Sequence, residues 1–203
     1  VDGHLIDLAA AFGRRAPVVL EIGFGMGEAA VESALANPDL DFLAVDVHLP
    51  GQASLLSHLE LHRLTNVRVL AGDARDVLSL MLPPASLSAV RILFPDPWPK
   101  RRHQKRRLLT ADFAALVRDR LAPGGVLHVA TDIAVYAHQT RQAVAATPGL
   151  APHDPPPPRP STRYERRARA AGRACYDLAA VRTGPSGPAD SNVSTWSSGT
   201  SRE

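Results

Sequence analysis

The densest chemical signal in the chain surrounds Asp96. It stands in Phe94-Pro95-Asp96-Pro97-Trp98-Pro99, and six of the eight residues from 100 to 107 that follow are Lys or Arg. Each proline fixes its own φ and pushes its predecessor toward extended geometry, which makes a stiff loop unable to enter a helix or central strand. A carboxylate on such a loop can stabilise a developing positive charge or orient a hydrogen-bond donor. The cations beside it can grip phosphates. Three other acids, Glu21, Asp46 and Asp73, lie within or just beyond short apolar runs, and Glu21 leads into Gly23-Phe24-Gly25-Met26-Gly27. Any one of the four alone reads equally well as a helix cap or a solvated side chain. All four near the ends of successive runs favour one shared pocket.

The runs themselves supply the frame. Short stretches rich in β-branched residues predict strands over 17–22, 41–45, 67–70, 89–93 and 126–130, with 176–181 as a last, edge strand. Helices are expected over 28–36, 52–64, 76–82, 112–121, 136–146 and 161–171, with Thr110 capping the fourth of these. Pro123-Gly124-Gly125 reads as a turn, and the proline-rich residues 147–160 as an irregular crossing. Strands alternating with helices imply an α/β fold: one Rossmann-like, doubly wound, mainly parallel sheet with an antiparallel edge strand. In such sheets ligands bind beyond the carboxyl ends of the strands, which is where the four acids fall. Residues 1–16 read as an N-terminal arm, 17–182 as the domain, and 183–203, rich in Gly, Pro, Ser and Thr, as a disordered tail. The order of strands in the sheet is not readable from periodicity.

Composition narrows the class. A chain of 203 residues suits one domain with a real core. The net charge is only +3, so positive charge matters through its clustering. A single cysteine, Cys175, excludes a disulfide framework and a cysteine-rich zinc site, and the eight histidines lack ligand spacing, so no metal is expected. Nothing resembles a signal peptide or a membrane span, and a cytoplasmic protein is the expectation.

The glycine turn by itself fits several nucleotides. A dinucleotide fingerprint wants Gly or Ala five positions after its first glycine; that position holds Glu28. With Glu21 before the turn, the surroundings suit a ligand with a cationic end and no phosphates. S-adenosylmethionine, with its ammonium, sulfonium and ribose diol, is such a ligand. Asp46 follows at the distance where an acid accepts ribose hydroxyls, and Asp73-Ala74 would meet the adenine edge.

The sequence resembles the bacterial tRNA (guanine-N7-)-methyltransferase family, over roughly residues 17–182. The motifs that carry this are Leu20-Glu21-Ile22-Gly23-Phe24-Gly25-Met26-Gly27, then Val45-Asp46-Val47-His48-Leu49-Pro50-Gly51, then Asp73-Ala74. After them come Phe94-Pro95-Asp96-Pro97-Trp98-Pro99-Lys100 with its basic run, Ala130-Thr131-Asp132 with Tyr136-Ala137, and Arg159-Pro160-Ser161-Thr162-Arg163-Tyr164-Glu165. The Phe-Pro-Asp-Pro-Trp-Pro-Lys motif is highly specific; the glycine turn is not. The resemblance implies the class I S-adenosylmethionine-dependent methyltransferase fold and methyl transfer to N7 of a guanosine in the tRNA variable loop. It implies cofactor contacts from Glu21, Gly23, Gly25, Asp46, Asp73, Ala74 and Asp96, with Asp96 also catalytic. Substrate contacts are implied for Lys100, Asp132, Thr162, Arg163, Tyr164 and Glu165. Asp46 departs from the family, which usually has Glu there, one methylene longer.

Local readings compete with these roles. Thr162 and Glu165 also fit a capping box, and Thr131-Asp132 a cap for the next helix. Trp98 reads as a plug packing the loop onto the sheet or as a platform for a base, and the basic run as a solvated surface or an RNA contact. A small-molecule methyltransferase and a catalytically silent RNA-binding protein are the rival functions. The basic run argues against the first, the acidic pocket against the second. The oligomeric state, monomer or homodimer, is not legible.

Overall fold

β1 (Val18–Ile22) is buried along its whole length, as a central parallel strand covered on both faces must be. In the computed structural model, which describes residues 5–98 and 100–184, it lies in a seven-stranded sheet. The other strands are β2 (Asp41–Asp46), β3 (Val67–Ala71), β4 (Leu87–Leu93), β5 (Leu121–Thr131), β6 (Leu150–His153) and β7 (Tyr176–Arg182). The order is β3-β2-β1-β4-β5-β7-β6. The first five strands run parallel; β7 is antiparallel to β5, and β6 to β7. The chain thus winds outward from β1 in one direction and from β4 in the other. These two neighbours flank the switch point, where a crevice opens beyond the carboxyl ends.

The helices are α1 (Leu8–Phe12), α2 (Glu28–Ala36), α3 (Leu49–Leu61), α4 (Ala74–Asp76), α5 (Ala111–Arg120), α6 (Ala134–Ala145) and α7 (Arg163–Ala170). Local chemistry starts several of them. Asp7 accepts from the Ala10 amide at 3.0 Å, and Thr110 from the Phe113 amide at 3.3 Å, satisfying donors that no turn of the helix reaches. One face of the sheet buries Leu20, Ile22, Val90, Ile92, Leu127 and Val129 under Phe113 and Val117 of α5 and Tyr136 and Val144 of α6. On the other face Val19, Phe42 and Ala44 pack against Ala30, Val31 and Ala34 of α2 and Leu55 of α3.

Four expectations change in the structure. The crossing expected over 147–160 contains β6, whose Pro152 is tolerated because an outermost strand need not donate on its open side. The expected edge strand, β7, therefore pairs on both sides, and the antiparallel edge is two strands wide. The helix expected over 76–82 starts earlier, as α4, and widens into a π-helical turn over Val77–Met81. Pro123-Gly124-Gly125 interrupts β5 as a bulge, between the pairings Leu87 with Leu121 and Ala89 with Val126. The expected tail lies almost wholly outside the described residues, as do residues 1–4 and Pro99.

Candidate active site

The glycine turn leaves β1 with Gly23, Gly25 and Gly27 at φ of 75°, 60° and 93°, a left-handed path that other residues resist. Its closing contact comes from β2: Asp46 accepts from the Gly25 amide at 3.3 Å through Oδ2 and from the His48 amide at 3.0 Å through Oδ1. α3 is then laid against the turn so closely that a Cβ on Gly51 would meet the Gly25 carbonyl oxygen at 2.0 Å. Only glycine permits that approach. Pro50 sits in the first turn of α3, and His48 Nδ1 accepts from the Gly51 amide at 3.2 Å.

The loop after β4 departs from the sheet with two residues in the left-handed region, Phe94 at φ 53° and Trp98 at φ 41°. For side-chain-bearing residues this costs roughly 1–3 kcal/mol each and persists only where the surroundings over-determine it. Here they do. The Phe94 amide donates to the Ala130 carbonyl at 2.7 Å. Arg107 donates from Nε to the Pro97 carbonyl at 2.8 Å and from Nη1 to Gln139 Oε1 at 3.0 Å, with its guanidinium over the Tyr136 ring. Arg107 is therefore buried: it clamps the loop and is no part of an exposed phosphate-binding run. Four neighbouring cations differ from it. Lys100, Arg102, Lys105 and Arg106 are exposed, and Arg101–Arg106 forms a 3-10 helix. Trp98 is half-buried, with the Arg106 guanidinium 4.9 Å from its ring centre and His103 edge-on at 5.8 Å. It is braced like a plug, yet it lines the cleft.

Asp96 and the glycine turn share one cleft of about 1250 Å³, also lined by Asp46, Asp73, Ala74, Trp98, Arg106, Asp132, Tyr164, Arg167 and Arg173. Beside it a hollow of about 30 Å³ is walled by Glu21, Gly23, Gly25, Thr162, Arg163 and Tyr164. Asp73 also caps α4, accepting from the Arg75 amide at 2.7 Å. Asp132 does not cap α6; its Oδ2 accepts from Arg173 Nε at 2.8 Å, while Thr131 accepts from the Ile133 amide. Thr162 caps α7 through the Glu165 amide at 3.1 Å. Glu165 does not reach back to complete a capping box. It is buried, lines neither cavity, and pairs with Arg159 at 2.6 Å and Arg169 at 2.7 Å. Lys100 is exposed and lines neither cavity.

Beneath the cleft, Glu21, Arg91 and His128 stand side by side in register on β1, β4 and β5, each 1–2% exposed. Asp177 of β7 accepts from His128 Nε2 at 2.8 Å and takes a two-pronged contact from Arg159, at 2.7 and 2.6 Å. Burial raises the Glu21 carboxyl, against the pull of Arg91 and Arg159. One of its oxygens, Oε2, is buried without a hydrogen-bond partner. Burial presses the Arg91 guanidinium down to about 10, against Glu21. Burial also lowers His128, although Asp177 opposes it; its Nδ1 has no acceptor, which holds the ring neutral with the proton on Nε2. Burial alone would raise Asp177, yet His128 and Arg159 hold it well below the usual carboxylate range. Burial works against the charge on Arg159 as well, and Asp177 and Glu165 outweigh it.

Arg91, His128 and Asp177 carry this site without having been singled out from the sequence; Arg159 and Gly51 stood there only within motifs, and Arg107 only as one cation of the basic run. For three of them a signal existed: an ionisable residue inside an apolar strand, as in Val90-Arg91-Ile92, Leu127-His128-Val129 and Tyr176-Asp177-Leu178, needs a partner. Among the described residues no group of His, Cys, Asp or Glu is arranged to hold a metal ion, and no helix is long and apolar enough to cross a membrane.

Residues 15–178 match a methyltransferase family model. A tRNA (guanine-N(7)-)-methyltransferase of Streptomyces avermitilis is 48% identical over 194 residues, covering 91% of this chain and 66% of the relative. The enzyme of the same name from Nitrosospira multiformis is 48% identical over 184 residues, 87% of this chain and 80% of the relative. That of Mycobacterium avium is 47% identical over 182 residues, 87% and 70%. Among solved structures, the aminoglycoside resistance methyltransferase NpmB1 superposes with a TM-score of 0.64 at 18% identity, covering 88% of this chain and 94% of that one. A 16S rRNA adenine-N1 methyltransferase from Catenulisporales acidiphilia, with its cosubstrate S-adenosylmethionine, gives 0.61 at 17%, covering 89% and 92%. At such identities these structures show the fold.

Proposed function

We infer the function from one premise: the chain belongs to the tRNA (guanine-N7-)-methyltransferase family. It is an S-adenosylmethionine-dependent enzyme that methylates N7 of a guanine in tRNA. We propose further that the guanosine lies in the tRNA variable loop and that the residues act as follows.

The site suits the cofactor on its own chemistry. The unpartnered oxygen of Glu21, beside a glycine-walled hollow, would receive the ammonium group and so lose the penalty of a buried, unsatisfied charge. Gly23 and Gly25 leave room for the chain of the ligand. Asp46 retains lone pairs for the ribose hydroxyls after accepting two amides. Asp73 and Ala74, on the wall of the same cleft, would meet the adenine edge. When bound, S-adenosylmethionine supplies an electrophilic methyl group.

Guanine N7 carries a free lone pair, so no proton has to leave for the attack, and the protein's work is alignment and charge. Asp96 stands at the cleft on a strained, clamped loop. Its carboxylate stabilises the positive charge that grows on the purine, or orients the guanine donors. Asp132 holds the base edge, with Oδ2 already tied to Arg173. From α7, Thr162, Arg163 and Tyr164 wall the hollow at the cofactor end, and Glu165, buried between Arg159 and Arg169, holds the helix in place and touches no substrate. Lys100 and the exposed arginines bind phosphates, which adds salt-dependent affinity and little sequence information.

The observation that carries this reading is the shared cleft: the glycine turn, Asp46 and Asp96 line one cavity. The test is mass spectrometry of tRNA incubated with purified protein and S-adenosylmethionine, on nucleosides for the modification and on nuclease fragments for its position. 7-Methylguanosine at the variable-loop position is expected, and Asp96→Ala should cut turnover by about 10²–10³-fold with fold and tRNA binding retained. Full turnover by that variant removes the role given to Asp96.

A further inference from the structure

Arg159 is engaged on three sides near the site, and it has no part in the chemistry proposed for Asp96. It is 6% exposed. Its guanidinium grips Asp177 of β7 with two prongs and Glu165 of α7 at 2.6 Å, and lies 5.7 Å from the centre of the Phe94 ring. Three parts of the site thus meet on one planar cation: the strand behind it, the helix over its cofactor end, and the residue that starts the loop bearing Asp96. A lysine could not serve all three, because the fork of the guanidinium satisfies two carboxylates at fixed angles.

Two consequences reach the cofactor end. Glu165 fixes the first turn of α7, and on that turn Tyr164 packs over the glycine turn, 3.7 Å from where a Cβ on Gly25 would stand. Thr162, Arg163 and Tyr164 share the hollow with Glu21. Burial raises the Glu21 carboxyl; Arg91 beside it on β4 opposes that most, and the positive charge of Arg159 opposes it to a smaller degree.

We propose that Arg159 is a positioning residue for S-adenosylmethionine: it seats α7 against the glycine turn, so that Thr162, Arg163 and Tyr164 wall the hollow beside Glu21. This rests on the cofactor reading given above. It predicts a split that a purely structural residue would not give. In folded Arg159→Gln, KM for S-adenosylmethionine should rise on the order of tenfold or more, as for small misplacements of a bound group, while kcat and KM for tRNA change less. The acid limb of cofactor affinity should move only slightly to higher pH, because Arg91 stays beside Glu21. Arg159→Lys should not restore KM, since it returns the charge and not the fork.

The measurements are calorimetric titration with S-adenosylmethionine across pH and steady-state kinetics, with circular dichroism as the control for folding. Should Arg159→Gln fail to fold, Glu165→Gln carries the test. It loosens α7 while leaving Arg159 in place, so KM for the cofactor should rise with the acid limb unmoved. A folded Arg159→Gln protein with unchanged cofactor affinity overturns the proposal, as does an equal loss in kcat and both KM values. Unaltered affinity in folded Glu165→Gln does the same for the seating of α7. If the wild-type protein itself binds no S-adenosylmethionine, the cofactor reading fails and takes this proposal with it; if only the variants behave as wild type, this proposal alone fails.

Discussion

Under α5 and α6 the three central strands present Leu20, Ile22, Val90, Ile92, Leu127 and Val129. Turned over, the same strands present Glu21, Arg91 and His128 in one lateral row. Both sets are almost wholly buried, yet they are stabilised on different terms. On the first face each large side chain gains about 1.5–3 kcal/mol from leaving water, and neighbours of similar volume could replace one another at modest cost. On the second, each ion loses several kcal/mol of hydration and recovers it only through partners placed correctly. The apolar face is generic support. The ionisable face is committed to particular residues, and it is the one whose carboxylate, Glu21, opens onto the cofactor end of the site.

That contrast can be broken by experiment. The largest effect on stability is expected for Arg91→Met. Removing the guanidinium takes from the buried Glu21 carboxyl the neighbour that most favours its charge, at a cost of about 3–5 kcal/mol in urea unfolding. Adding Glu21→Gln should recover part of it; if the double variant is no more stable than the single one, the two ions are not compensating each other. Leu20→Ala on the opposite face should cost about 2–5 kcal/mol, from cavity and transfer alone, and its cost should be independent of pH between 5 and 8, roughly the range in which histidines titrate.

The dependence on pH separates the faces further. The folded state keeps the His128 pKa below its unfolded value of 6.5. As pH falls through that value, the unfolded chain takes a proton that the folded chain refuses, so stability is lost toward acid. Asp177, held low when folded, contributes stability above its unfolded value of 3.8, which is lost as pH falls further. Glu21 runs the other way: raised when folded, it favours the folded state at low pH and loses that contribution as pH rises through its folded value. His128→Gln should therefore flatten the first part of the acid limb, read as urea midpoint against pH. A limb as steep as wild type between pH 6.5 and the carboxylate range would count against a neutral His128.

The smallest expected effects come from the helix caps. Thr110→Ala and Thr162→Ala should each cost about 1 kcal/mol, since each hydroxyl accepts one helix amide, and the further contact of Thr110 from Arg75 Nη2 at 3.3 Å is solvent-exposed. Thr110 starts a helix on the apolar side, so activity should persist. Thr162 starts α7 beside Glu21, so its loss should also weaken cofactor binding. Equal kinetics for the two variants would erase the functional distinction between the faces.

Much of this was legible in advance where the cause is local. Buried parallel strands are continuous apolar runs, so β1, β2, β4 and the core of β5 could be read directly. Thr110 could be identified as a cap because a cap acts over three residues. β6 was hidden because Pro152 and the prolines at 155–158 look like irregular chain unless one knows that an edge strand will host them. Arg107 could not be told from its neighbours in the basic run; it is set apart by the bend of the loop, which turns it inward onto Pro97 and Gln139.

By itself the sequence determined the kinds of residue available: a glycine turn, a carboxylate among prolines, acids at strand ends, cations in a cluster. Side-chain chemistry and backbone preference are properties of short stretches, so these survive without coordinates. Only the tertiary structure decided which of them meet. The reversal of strand order between β1 and β4 brings Gly23 and Asp96 to one cleft from positions more than seventy residues apart. Lateral pairing of the same strands with β5 aligns Glu21, Arg91 and His128. Strand order is set by the packing of both faces at once, and no local stretch of chain contains that information.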